Sequence, residues 1–353
     1  MAMTQANSKI PMAILTGYLG AGKTTLLNRI INSDLPMRIA VLVNDFGAIN
    51  IDSKLVVGVE GETITLSNGC ICCTIRGDLV QTIATLVKGD IPPDYIIVES
   101  SGVSDPARVV LTFNRSYLRT YVQIDSIIAV VDTEQFLNAN KKSERLLREQ
   151  VRVSDIVILN KIDLVDEKVL KQSRALIDSI IDKARVIETT HCDVPISAII
   201  GNASYNPQTA FDTSGHGVHA HDVDDIDDHN HSDHSLVFAT WSWESDEPVI
   251  LSHMRRILDD LPSSIFRAKG VIYTRDIPDT RVVLQLVGHR VALTAGEPWG
   301  DETPRTSIVL IGDMGAVDKV LLTTQFEDTV SMTEPTNELG QLVDGVLKWL
   351  RVK

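Results

Sequence analysis

Short, continuous apolar runs alternate with helix-like segments over the first 200 residues. The runs are MAILT (12–16), RIAVLVN (38–44), YIIVES (95–100), SIIAVVD (126–132) and DIVILN (155–160). They are rich in Ile and Val and lack polar alternation, the pattern of strands buried on both faces. Between them, TTLLNRII (24–31) and SERLLREQVRV (143–153) carry apolar residues at helical spacing. Strand and helix in alternation predict parallel crossover units in an open, mostly parallel α/β sheet. A second set follows: LVFATWSW (236–243), VIYTR (271–275), VVLQLVG (282–288) and TSIVLIG (306–312) read as strands, and PVILSHMRRILDDL (248–261) as a helix. This set suits a smaller α+β domain. Residues 337–350 (NELGQLVDGVLKWL) space their apolar positions as a terminal helix does.

Between the two sets the pattern vanishes. Residues 202–235 contain no Lys or Arg and show no apolar periodicity. Seven Asp lie there, with His216, His219, His221, His229, His231 and His234. Such a composition predicts a linker. The organisation expected is therefore residues 1–205 as one domain, 206–235 as a His/Asp-rich linker, 236–330 as a second domain and 331–353 as a C-terminal helix.

Overall charge narrows the function classes. Lys and Arg number 33 against 47 Asp and Glu, a net charge of -14. That balance argues against a general nucleic-acid or anionic-membrane binder, both of which need basic surface. No apolar run approaches the roughly 20 residues of a membrane-spanning helix. Three of the four cysteines crowd into positions 70–73, unlike a secreted disulfide framework. These features predict a cytoplasmic protein with reduced thiols.

The first strand leads into Gly17-Tyr-Leu-Gly-Ala-Gly-Lys-Thr24, which fits G-x-x-x-x-G-K-[ST] and opens a helix. Gly17, Gly20, Ala21, Gly22, Lys23, Thr24 and Thr25 are the predicted phosphate-binding residues. Backbone N–H groups and the helix N-terminus cradle phosphate oxygens there, Lys23 reaches the β and γ oxygens, and the Thr24 hydroxyl binds Mg²⁺. Asn160-Lys161-Ile162-Asp163 follows the run 155–160, where bases bind in open α/β sheets. The Asp163 carboxylate can accept from guanine N1–H and N2–H₂ together. Adenine lacks that donor pair, so GTP is predicted over ATP. Glu99 ends another strand, placed to hold Mg²⁺ or to orient water, and the Gly102 N–H can reach the γ-phosphate. Asp45, after the second strand, belongs to a loop that can respond to nucleotide. Lys23, Glu99 and Asp45 are the catalytic candidates; a turn or cap role for Asp45 and Glu99 is the alternative.

Cys70, Cys72 and Cys73 form a second site. Three thiolates suit Zn²⁺, Co²⁺ or Cu⁺ and leave a tetrahedral ion one open position, a shell fitted to releasing its metal. A redox cluster or buried structural cysteines are the competing readings. Cys192 reads as structural. The six linker histidines are weak, exchangeable ligands, or simply part of a solvated linker.

The succession GYLGAGKTTLLN, VNDFG, NGCICC, ESSGVSDP and NKID resembles the CobW-like family of metal-handling GTPases. That family takes in cobalamin-synthesis CobW proteins, nitrile hydratase activators and zinc-regulated metallochaperones. FRAKGVIY (266–273) and PWGDETPRTSIVLIG (298–312) extend the resemblance to roughly residues 10–325. It implies a P-loop GTPase domain, a smaller CobW-type C-terminal domain, metal bound at Cys70, Cys72 and Cys73 in coupling with GTP, and a client metalloenzyme as partner. Ala48 stands where many members carry Glu, which leaves the fourth metal ligand open. The function expected is a GTP-hydrolysing metallochaperone using GTP, Mg²⁺ and Zn²⁺, with Co²⁺ or Fe²⁺ as alternative metals and homodimerisation left open. A metal buffer with a regulatory GTPase domain is the alternative. A small-molecule kinase is a third class, disfavoured by NKID.

Overall fold

Strands β1 (Ile10–Gly17), β2 (Ile39–Val43), β3 (Thr63–Thr65), β4 (Ile71–Thr74), β5 (Tyr95–Glu99), β6 (Val122–Asp132), β7 (Ile156–Asn160) and β8 (Val186–Thr189) form one sheet in the order β3-β4-β2-β5-β1-β6-β7-β8. The structure is a computed structural model. It describes residues 9–33, 35, 37–43, 63–65, 71–74, 79–201, 238–313, 315 and 317–331, with the backbone alone in β3 and β4. The chain divides into two units, Met1–Ser204 and Tyr205–Lys353.

Among the described strands of the first unit, only β3 runs antiparallel to its neighbour. The other pairings are parallel, as the continuous apolar runs require: β2, β5 and β7 are buried at every position. Helices α1 (Lys23–Ile31), α2 (Leu79–Lys88), α3 (Pro106–Arg115), α4 (Thr133–Phe136), α5 (Lys141–Arg152), α6 (Glu167–Ile180) and α7 (Ile196–Ile199) connect the strands. Helix α3 starts where Asp105 accepts from the Ala107 N–H at 2.9 Å with Pro106 at the first turn. Helix α6 starts likewise, with Asp166 accepting from the Val169 N–H.

Among the described residues, two apolar clusters pack on the sheet. Met12, Ile14, Leu42, Ile96 and Val98 pack with Ile83 of α2 and Phe113 of α3. Val131, Val157 and Leu159 pack with Leu147 and Val151 of α5 and Ile177 of α6. Each such fully buried side chain contributes about 1.5–3 kcal/mol. The parallel pairing brings the C-terminal ends of β1, β5, β6, β7 and β8 to one edge, where the candidate site lies.

The second unit is a five-stranded antiparallel sheet in the order β12-β11-β10-β13-β9. Its strands are β9 (Phe238–Ser245), β10 (Ile265–Ile272), β11 (Thr280–Val287), β12 (Arg290–Pro298) and β13 (Thr306–Asp313). Helices α8 (Leu251–Asp260) and α9 (Lys319–Ser331) supply Met254, Leu258, Leu322 and Phe326 to its core. The Phe326 ring sits 5.1 Å from Trp241 and 5.3 Å from Trp243.

One expectation shifts here, and one strand comes without a sequence signal. The strand read at 271–275 lies at Ile265–Ile272, and Thr274 makes only an isolated bridge with Val249. Arg267 and Lys269 disguised this strand in the sequence. Both lie in register with β11 and β13, and Arg267 is 1% exposed. Strand β12 carries no apolar run because it is an edge strand with Leu293 as its one buried residue. The helix read at 337–350 and the linker at 206–235 lie outside the described residues.

Candidate nucleotide site

Strand β1 ends at Gly17 and α1 begins at Lys23, so the chain turns through Gly17–Gly22 at the strand edge. Gly22 takes φ 114°, in the left-handed region, and a Cβ there would lie 2.5 Å from Asn160 Nδ2 and 2.9 Å from Cys192 Sγ. Only glycine meets both demands. No side chain caps α1 and no acid sits in its first turn, which leaves the helix start suited to an anion. Lys23 is buried, its Nζ donating to the carbonyls of Gly17 (2.9 Å) and Tyr18 (3.1 Å). The ammonium is thus held within the loop. Thr24 is half-buried and Thr25 exposed.

The loop is pinned from its far side. Asn160, at the end of β7 and 2% exposed, donates from Nδ2 to the Ala21 carbonyl at 2.9 Å and accepts the Cys192 N–H at 2.9 Å. Cys192 follows β8 in a left-handed turn and sends its thiol to the Gly22 carbonyl at 3.4 Å. Burial pushes that thiol up to about 12, against the weaker opposing pull of Arg29 and Lys161. It stays protonated at neutral pH and acts as a donor. The Lys161 ammonium pairs with Asp132 Oδ2 at 2.6 Å. Asp132 ends β6, is 4% exposed, and caps α4 through Oδ1. Asp163 lies in the 3₁₀ turn Ile162–Leu164 with its side chain exposed.

On the other side, Glu99 ends β5 in register with Leu15 of β1 and Val43 of β2, and is 3% exposed. The following loop is tied down by Ser100, whose N–H donates to the Leu15 carbonyl at 2.8 Å. Gly102 packs so closely that a Cβ would lie 2.7 Å from the Leu19 nitrogen. Among the described residues, no hydrogen bond is formed by the backbone N–H of Ser101, Gly102 or Val103. Three consecutive donors without a bond, beside a glycine-rich loop and a helix N-terminus, are of the chemistry that suits an anion.

The arrangement has counterparts. Residues 11–188 match the family model described as CobW/HypB/UreG, nucleotide-binding domain, and residues 238–330 that of the cobalamin synthesis protein cobW C-terminal domain. The chain belongs to the CobW/HypB/UreG family. It is a P-loop GTPase of this family, with an α/β nucleotide-binding domain and a smaller C-terminal domain built on an antiparallel sheet. The zinc chaperone YjiA of Escherichia coli (strain K12) is 30% identical over 315 residues, covering 86% of this chain and 94% of that protein. Zinc-regulated GTPase metalloprotein activator 1 of Dictyostelium discoideum is 36% identical over 244 residues, 59% of this chain; the match spans only about half, 51%, of that longer protein. The crystal structure of Zn(II)-bound YjiA GTPase from E. coli aligns over 91% of this chain and 99% of that one, at 26% identity and a TM-score of 0.44.

Within the CobW/HypB/UreG domain, the structure gathers Gly17–Thr24, Gly102 and Asn160 around one loop, with Lys161 and Asp163 continuing from Asn160. Cys72 and Cys73 lie on β4, opposite Val41 and Leu42 of β2; their side chains, and the whole of Cys70, lie outside the described residues. So do Asp45, His216, His219, His221, His229, His231 and His234. Among the described residues no three His, Cys, Asp or Glu side chains gather as a metal cage, and no helix is long and apolar enough to cross a membrane.

Sequence reasoning missed Asp132 and, although it read Cys192 as structural, the partners of that residue. Asp132 was open to the logic applied to Glu99, an acid ending a buried apolar strand beside the site. The Cys192 contact left no local signal, because Cys192 is 32 residues from Asn160 and 170 from Gly22.

Proposed function

We propose that this GTPase is a metallochaperone that binds Zn²⁺ at Cys70, Cys72 and Cys73, couples that binding to GTP, and delivers the ion to a client metalloenzyme. The observation that carries this reading is the strand register. Cys73 of β4 pairs with Leu42 of β2, which pairs with Val98 of β5; one residue on, Thr74, Val43 and Glu99 form the next row. The cysteine strand thus stands two strands, about 10 Å, from the strand that ends in Glu99. Among the described residues, β2 is the one strand that separates them, so a shift at that edge has a short path to the cysteines. The names of the relatives, a zinc chaperone and a zinc-regulated activator, support the choice of metal.

In this reading the P-loop N–H groups and Lys23 bind the phosphates. Asp163 accepts from the guanine N1–H and N2–H₂. The N–H groups of 101–103 meet the γ-phosphate. Hydrolysis adds water to the γ-phosphorus and breaks its bond to the β–γ bridging oxygen, giving GDP and phosphate. The donor set fits Mg²⁺, since the Thr24 hydroxyl and the buried Glu99 carboxylate are hard oxygen ligands. Those two residues would hold it, and when bound it neutralises charge on the phosphates. The zinc ion is cargo, held by thiolates and released when GTP is spent. Residues 206–235 serve as a histidine-rich linker between the two domains, and the protein works in the cytoplasm.

Competition titration of Zn²⁺ with a non-hydrolysable GTP analogue plus Mg²⁺, with GDP plus Mg²⁺, and without nucleotide tests the coupling. A site that tightens at least tenfold with the GTP analogue over GDP corresponds to about 1.4 kcal/mol of coupling. Linkage requires that Zn²⁺ tighten GTP by the same factor. Equal zinc affinities in all three states would overturn the proposal and leave a metal buffer with a GTPase domain of other purpose. Cys72→Ala is expected to abolish the tight site.

A further inference from the structure

Helix α5 contains a polar residue that the nucleotide site does not explain by itself. Gln150 is 1% exposed, and its Oε1 is buried with no hydrogen-bond partner among the described residues. A buried amide with one unsatisfied end costs a fold the desolvation of that end, so its place in the core calls for an explanation at the bonded end. Here Nε2 donates to the carbonyls of Gly102 (3.3 Å) and Ser104 (3.5 Å), 48 and 46 residues away. Both partners are carbonyl oxygens, so the orientation of the amide is fixed by chemistry: only the NH₂ end can face them.

The same helix holds the P-loop. Ser143 Oγ lies 3.0 Å from the Tyr18 hydroxyl. Ser143 and Gln150 are seven residues apart, hence on one face and separated by about 10.5 Å along the axis. Leu147, between them on that face, is buried in the core and fixes the helix to the sheet. Gly102 in turn abuts the Leu19 nitrogen. The contacts close a ring: Tyr18 to Ser143, along α5 to Gln150, across to Gly102, and back to the P-loop at Leu19.

We propose that Gln150 is a positioning residue for γ-phosphate recognition, holding the 101–104 loop by its carbonyls so that the N–H groups of 101–103 stay presented to the phosphate. The inference rests on the proposed reading that this loop meets the γ-phosphate. A peptide plane carries its C=O and N–H in opposite directions, so anchoring the Gly102 carbonyl aims the Val103 N–H away from α5. Through Tyr18 and Gln150, α5 ties the P-loop to the γ-phosphate loop. The role predicts an effect on GTP and little on GDP, which lacks the third phosphate. A purely structural role moves both alike.

The test is Gln150→Met, close in shape but without a donor, with fluorescent GDP and a fluorescent non-hydrolysable GTP analogue titrated against the full chain. Affinity for the GTP analogue is expected to fall about tenfold, with kcat falling alongside and GDP affinity changing less than twofold. Equal losses for both nucleotides, or none for either, overturn the proposal. Tyr18→Phe, which removes only the hydroxyl at the other end of the strut, gives a smaller loss of the same selectivity and keeps the test open should Met prevent folding. Its failure to discriminate then overturns the proposal. Gly102→Ala separates this inference from its premise. If it leaves GTP-analogue binding untouched, the γ-phosphate reading of the loop fails. If it weakens the GTP analogue selectively while Gln150→Met does not, Gln150 alone is misassigned.

Discussion

Asn160→Ala is the most informative single perturbation of the nucleotide site. The Asn160 side chain is 2% exposed and makes two hydrogen bonds of 2.9 Å, one given to Ala21 and one taken from Cys192. Both partner residues are fully buried, so truncation leaves a carbonyl and an N–H without water or protein partners. Each such orphan costs about 1–3 kcal/mol, giving an expected loss of about 4 kcal/mol from the N-terminal unit. With a urea m-value of about 3 kcal/mol/M for a unit of this size, the midpoint falls by about 1.3 M. Far-UV circular dichroism follows the whole chain, whereas Trp241, Trp243, Trp299 and Trp349 all belong to the second unit. A circular dichroism transition that shifts while the tryptophan transition stays assigns the loss to the N-terminal unit. The same variant frees the P-loop from β7, so GDP affinity is expected to drop about tenfold. A stability loss under about 1 kcal/mol with unchanged GDP affinity would refute the claim that Asn160 clamps the loop.

Three further outcomes follow from the same geometry. Asp132→Asn keeps the α4 cap, since Asn caps as well as Asp, but removes the charge from a 4% exposed partner of Lys161. GDP affinity is expected to fall about tenfold with α4 intact, and an unchanged affinity would show the ion pair to be incidental. Asp163→Asn should weaken GTP and GDP about a hundredfold while gaining xanthosine nucleotides, read by competition with each base; retained guanine preference would move base recognition elsewhere. The Cys192 thiol, raised from 9.0 to about 12, stays protonated in the fold while its unfolded form ionises. The unfolded state then binds fewer protons above pH 9, so stability is present in full below that pH and falls as pH rises toward 12. Between pH 8 and 10.5 the natural protein should lose about 2 kcal/mol more than Cys192→Ala; parallel losses would show that the thiol is not desolvated.

Local chemistry is legible in the chain itself. The alternation of Ile/Val-rich runs with helical periodicity announces a parallel sheet because strands buried on both faces can carry little else. Gly17–Thr24 is readable because its glycines, Lys23 and Thr24 are demanded by one turn and one helix start, all within eight residues. Asn160–Asp163 is readable for a similar reason, a short motif at the end of an apolar run. Edge and charged strands were not legible: β12 has almost nothing buried to reveal it, and β10 hides Arg267 in a row that only its neighbours β11 and β13 define.

The tertiary structure alone decided what these segments do to one another. The placement of β1 between β5 and β6, with β2 between β4 and β5, puts the Cys72–Cys73 strand two strands from Glu99. Asn160 gains its role from Ala21 and Cys192, Lys161 from Asp132, and Gln150 from Gly102 and Ser104. All of these pairs are separated by 29 or more residues, and none leaves a periodicity or a spacing behind. Propensity and motif spacing act over one turn or one strand, so the sequence by itself determined the glycine-rich loop of 17–24, the turn that follows Asn160 and the class of sheet. Partners across long chain separations are chosen by packing after the strands have found their order, and that choice fixed how the loops of the site are held.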